Sequence, residues 1–125
     1  WTKTFEDMNP KCKSFTFDTE SELSDKFELI PEDTDILITH SPPYGILDSI
    51  PRMHDGTIEQ VGSRALYGRL KYGVRPRLHV FGHIHEGHGK REFFPTWDNK
   101  MMISVNASYV NERYKPVNNH VRIEL

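Results

Sequence analysis

The residues best suited to chemistry in this sequence are histidines, and they are not scattered. His83 and His85 stand two apart in Gly82-His83-Ile84-His85, at the end of an apolar run, and His40 ends another apolar run upstream. In an extended segment, residues two apart point to the same side and lie roughly 6.6 Å apart. Two imidazoles so placed can each reach one of two cations lying about 3.5 to 4 Å apart. His40, His83 and His85 could instead hold a single zinc ion with an open water position, and spacing alone leaves both arrangements open. Gly82 lets the backbone turn sharply or approach a ligand closely. Of the other histidines, His79 is expected to be a strand residue with a local hydrogen bond, and His54 and His120 to lie on the surface. His88 faces either the pocket or solvent.

Two short apolar runs must position these rings. Asp35-Ile36-Leu37-Ile38-Thr39 reads as a buried strand running into His40, and Arg77-Leu78-His79-Val80-Phe81 as a strand running into the Gly-His-x-His segment. Parallel neighbours ending in histidine would bring the three rings together at the strand ends, where α/β proteins place their sites. A helix is predicted from a capping Asp18 to about Leu29, with Leu23, Phe27 and Ile30 on its apolar face and Pro31 ending it. A second is predicted from Ser63 to Tyr72, with Leu66 and Leu70 inward and Gly73 as its stop. The stretch from Ser41-Pro42-Pro43-Tyr44-Gly45 to about Gly62 reads as a long irregular loop, of the kind that is usually functional. Met101 to Val105 and Val121 to Leu125 are further strand candidates, with a turn at 115–119 between them. The order predicts an α/β layer with an antiparallel tail.

Composition excludes several classes. The chain has 125 residues, room for one domain or part of one. No apolar run reaches the roughly 18 residues of a membrane span. The polar, acidic start at Trp1 to Asp7 lacks the features of a signal peptide. A net charge of -2 gives no long-range attraction for nucleic acid or acidic lipid, so neither a membrane nor a nucleic-acid polymer is expected as partner. The basic cluster of Arg69, Lys71, Arg75 and Arg77 reads as a solvated helix and its exit loop. A single cysteine, Cys12, leans towards a reducing compartment, and a cytoplasmic location is expected.

The segment from Ile36 to Asp48, with Thr39-His40-Ser41-Pro42-Pro43-Tyr44-Gly45 at its centre, resembles the fourth metal motif of calcineurin-like metallophosphoesterases. Arg75 to Gly89, containing Val80-Phe81-Gly82-His83-Ile84-His85-Glu86-Gly87-His88, resembles the fifth. Val105-Asn106-Ala107-Ser108 fits the strand that follows in the subgroup of small metallophosphoesterase-domain proteins. The resemblance runs from Asp35 to the C-terminus, and residues 1–30 match only loosely. It implies that residues 1–125 form the C-terminal half of one domain, that is, half of a four-layer α/β/β/α sandwich with a mixed sheet and flanking helices. It also implies hydrolysis of phosphomonoesters or phosphodiesters, cyclic nucleotides among them, with two divalent ions (Mn, Fe, Zn or Mg). His40 and His83 would ligate one metal and His85 the other. Ser41, Tyr44, Gly82 and His88 would lie near the substrate.

The family's remaining ligands come from an Asp-x-His pair, a Gly-Asp pair and a Gly-Asn-His followed by an acid, none of which occurs in this sequence. Asn118-Asn119-His120 lacks the glycine, and Met53-His54-Asp55 has the order reversed. The bridging aspartate and the leaving-group histidine are therefore absent. Three neutral imidazoles cannot offset two dications, which is work for carboxylates. Alone, the chain is expected to hold at most one metal, weakly, and to be inactive. Such a half would leave apolar sheet surface uncovered, so a first-half segment or second chain is the expected partner. A non-catalytic scaffold with the same fold and a mononuclear zinc hydrolase are the rival expectations. Ser41, where the subgroup commonly has glycine, is expected to cap its turn. The sequon Asn106-Ala107-Ser108 is read as structural.

Overall fold

A computed structural model of the chain describes residue 17 and residues 19–52, 54–89, 91–95 and 99–125, with 91–95 described by their backbone. The first helix, α1 (Glu20–Glu28), begins at a reciprocal cap. The Thr19 hydroxyl accepts from the Glu22 N–H, and the Glu22 carboxylate accepts from the Thr19 N–H. The cap is thus Thr19 rather than Asp18, which lies outside the described residues. Leu23 is buried and Phe27 packs against the core. The second helix, α2 (Arg64–Tyr72), is capped by the Ser63 hydroxyl, which accepts from the Leu66 N–H, and it ends at Gly73. Leu66 and Leu70, four apart and so on one face, are both buried.

The two helices are tied by Arg69. Its guanidinium donates to the Glu28 carboxylate (2.9 Å) and to the Ile30 carbonyl (2.7 Å), satisfying a group left open at the end of α1. With its side chain 10% exposed, Arg69 is no solvated surface charge. The expectation for the basic cluster fails at this residue, because the tertiary fold gives its two terminal nitrogens acceptors on Glu28 and Ile30.

The helices lie on one face of a four-stranded sheet. Its strands are β1 (Ile36–Ile38), β4 (Leu78–Phe81), β5 (Arg91–Pro95) and β6 (Met101–Asn106), in the order β1-β4-β6-β5. β1, β4 and β6 are parallel, and β5 is antiparallel to β6. Register sets the two faces. Leu37, Phe81 and Met102 point to the helix side and pack with Ile46, Leu47, Leu66 and Leu70. Ile36, Ile38 and Met101 point away and are 52, 75 and 53% exposed. β1 is therefore not the buried strand its apolar run suggests: it lies at the sheet edge, and its outer face is open.

The stretch from 41 to 62 is not wholly irregular. It carries a two-stranded hairpin, β2 (Ser49–Pro51) and β3 (Ile58–Gln60), whose three-residue strands are too short to show a period in sequence. Asp48 staples this excursion: it is fully buried, and its Oδ2 accepts from the N–H groups of Gly45 and Gly62, each at 2.9 Å. A side chain at Gly62 would collide with the Pro43 carbonyl, so glycine is required there. The expected strand at 121–125 is not formed, and those residues run on without regular structure. Among the described residues, no helix is long and apolar enough to cross a membrane.

Candidate metal centre

The parallel pairing of β1 and β4 places the ends of the two strands side by side. Beyond the strands the ladder continues, with the Thr39 N–H on the Val80 carbonyl (3.0 Å) and the Gly82 N–H on the His40 carbonyl (3.1 Å). The consequence is direct: the His40 and His83 rings lie 4.8 Å apart between centroids, tilted by 48°. His85 follows at the start of a short 3-10 turn (His85–Gly87), with the Tyr114 ring edge-on at 5.1 Å.

The Gly-His-x-His segment is not extended. His83 has φ +67°, and the Ile84 N–H donates to the Gly82 carbonyl at 2.8 Å, closing a three-residue turn around His83. A left-handed backbone at a residue with a side chain is strained by about 1 to 3 kcal/mol and persists only where its surroundings hold it. The strand-like spacing of the two rings predicted from sequence is thus replaced by a turn. The sharp bend falls at His83 rather than at Gly82, where a Cβ would only come within 3.4 Å of the Ser108 hydroxyl.

Electrostatics favours neutral rings. Burial, then the nearby His40 and His85, lowers the His83 pKa to about 4. Exposed overall at the rim, His40 is also lowered, chiefly by burial of part of its ring. Neutral imidazoles are the ligating form, so protons would not compete near neutrality for a cation at these two rings. They do not make a complete site. Among the described residues, no group of three or more histidine, cysteine, aspartate or glutamate side chains is arranged to hold a metal ion.

The other sequence candidates are placed as follows. His79 is fully buried. The Thr39 hydroxyl donates to the Ser41 carbonyl (2.8 Å), so it must accept from His79 Nε2–H (2.9 Å), and burial pushes the His79 pKa down to about 3. His54 and His120 are exposed, as expected. His88 is half-buried with its Nδ1 enclosed and without a hydrogen-bond partner. Tyr44 lies under the Arg64 guanidinium, 3.8 Å from its ring centre. Ser41 does not cap its turn: its hydroxyl is buried without a partner, and Thr39 makes the bond to the turn instead.

Two features escaped the sequence reading. Asn106 and Ser108 reach across to the histidine loop, with Asn106 Nδ2 donating to the Ile84 carbonyl at 2.6 Å. Asn106 Oδ1 accepts from the Ser108 N–H (3.0 Å) and hydroxyl (2.7 Å). A buried asparagine with both ends of its amide engaged has no room for a glycan, in keeping with the structural reading of the sequon. The available signal was an asparagine ending an apolar strand with a serine two residues on. Tyr114, at φ +55°, is set by a turn in which the Asn111 carboxamide accepts from the N–H groups of Arg113 and Lys115. No sequence pattern points from Tyr114 to His85.

Over 103 residues, or 82% of its length, the chain is 45% identical to metallophosphoesterase domain-containing protein 1 of Homo sapiens, covering 28% of that relative. The chain belongs to the metallophosphoesterase-domain family. It is also 37% identical over 106 residues to the UPF0046 protein T07D4.2 of Caenorhabditis elegans, covering 26% of it. The chain thus spans little more than a quarter of the length of the curated relatives it matches. No protein-family model matches it. As a metallophosphoesterase-domain segment, it has a mixed α/β architecture, with a parallel sheet core and helices packed on one face.

Proposed function

We propose that this segment supplies the histidine side of a dinuclear phosphoesterase centre that hydrolyses phosphomonoesters or phosphodiesters, nucleotides among them. One observation carries the reading: parallel β1 and β4 end together and set the His40 and His83 rings 4.8 Å apart, in a chain whose relatives are named for a metallophosphoesterase domain. His40 and His83 would hold one cation and His85 a second, drawn from Mn, Fe, Zn or Mg. A divalent cation polarises a phosphoryl oxygen and lowers the pKa of water, which supplies the nucleophile. The chain's own part is to aim neutral imidazoles and to place Ser41, Tyr44, Gly82 and His88 around the substrate. Phosphoryl transfer depends chiefly on such positioning and charge.

The carboxylates that balance the metal charge belong, in this reading, to a first-half segment or chain. Its sheet would cover the face bearing Ile36, Ile38 and Met101 and complete the four-layer sandwich, in the cytoplasm. The open apolar face supports this, because such surface is normally buried in a partner. The deciding experiment measures bound metal and hydrolysis of a p-nitrophenyl phosphodiester, with the chain alone and with a first half added. Metal uptake and turnover only in the combined sample are expected. Turnover by the chain alone would favour a mononuclear zinc hydrolase. No metal in either sample would favour a non-catalytic scaffold.

A further inference from the structure

The turn that presents His83 and His85 is held from outside itself. Ile84, between the two histidines, has a carbonyl that accepts from the Gly87 N–H (3.2 Å) within the 3-10 turn and also faces β6. The Asn106 carboxamide meets it at 2.6 Å, and Asn106 is itself locked by both Ser108 bonds. Only one amide orientation works. Reversing it would set oxygen against the Ile84 carbonyl and NH₂ against the Ser108 N–H. Asn106 is fully buried, so neither bond can be exchanged for water. A backbone bond from the Gly89 N–H to the Asn106 carbonyl (3.1 Å) ties the far end of the loop to the same residue. Gly87 lies so close that a Cβ there would stand 2.7 Å from Asn106 Nδ2 and 2.9 Å from the Leu47 carbonyl.

We infer that Asn106, seconded by Ser108, is a positioning residue: its grip on the Ile84 carbonyl holds His83 in its left-handed turn and so aims both histidines. This rests on the reading of His83 and His85 as metal ligands, but the clamp itself can be observed without metal. A residue at positive φ brings its own N–H and Hα close together and gives a strong intraresidue NOE. In the protein with labelled histidine, His83 is expected to show that NOE. Asn106→Asp keeps the shape, removes the donor and sets a carboxylate oxygen against the Ile84 carbonyl. It is expected to reduce the NOE to the weak intensity of a residue at negative φ while the far-UV circular dichroism is kept. In the protein combined with its first half, Mn²⁺ affinity is expected to fall by about 10- to 100-fold, the range for groups that orient metal ligands. If Asn106→Asp does not fold, Ser108→Ala removes the hydroxyl from Asn106 Oδ1 (2.7 Å) and its longer approach to the Ile84 carbonyl (3.4 Å), and should weaken both signals in the same direction. A His83 NOE of undiminished intensity, in a folded Asn106→Asp or in Ser108→Ala, overturns the clamp. A weakened NOE in the variants, with no Mn²⁺ binding in the unsubstituted protein, leaves the clamp standing and overturns the metal reading.

Discussion

At the scale of single residues, two histidines in this chain are kept neutral for different ends. His83 is pressed to a pKa of about 4 beside His40 and His85, and it is expected to ligate. His83→Ala should lower divalent-cation affinity in the completed protein by at least the roughly tenfold seen for outer partners of metal ligands, as read by calorimetric titration. His79 is buried for structure, with its Nε2–H on Thr39 beside His40. In the unfolded chain it takes a proton near its ordinary 6.5, but in the folded chain only near 3. The folded state therefore binds fewer protons across that window. The contribution to stability is complete above pH 6.5 and falls as pH drops towards 3, by about tenfold in the folding constant per pH unit. His79→Gln keeps a donor for Thr39 and does not titrate, so it should flatten the fall in urea midpoint between pH 7 and pH 5. An unchanged slope would reject this role for His79. Gly87→Ala, lacking room between Asn106 and Leu47, is expected to disturb the His83 turn as Asn106→Asp does, without changing either histidine.

Among the secondary-structure elements, the helices follow from their sequence and their docking does not. Thr19 with Glu22 and Ser63 with the Leu66 N–H are local caps, decided within four residues. How α1 meets α2 depends on Arg69, which spans from one to the other. Arg69→Ala would leave the Ile30 carbonyl without its donor and should cost about 1.5 to 3 kcal/mol, the range for hydrogen bonds to a charged group. Arg69→Lys should recover only part, since one ammonium cannot reproduce the fork. Urea denaturation of both variants tests this. The 41–62 excursion shows the opposite case. Its hairpin was invisible in sequence because neither strand exceeds three residues, and its shape depends on one buried carboxylate, Asp48, gathering N–H groups far apart in the chain.

For the molecule as a whole, the sheet has one face packed with helices and another carrying Ile36, Ile38 and Met101 into solvent. Ile38→Lys is expected to leave the chain's own stability within about 0.5 kcal/mol, as surface changes generally do, while lowering self-association in light scattering. It should also weaken assembly with a first half. A loss of stability in the chain alone would mean that the face is already covered. Much of this architecture was legible beforehand. Hydrophobic periodicity and local caps named both helices and the strands β1, β4 and β6, because period and capping are short-range properties. Motif resemblance named the family and the three histidines. The sequence by itself determined which residues could ligate, and that no carboxylate motif accompanied them. Only the tertiary structure decided how these histidines are aimed. Parallel pairing of β1 with β4 sets His40 against His83, and the strained turn at His83 depends on Asn106, which lies beyond another strand. Long-range contacts of this kind have no local signature, so the folded chain alone reveals that an apparent glycosylation sequon grips the histidine loop.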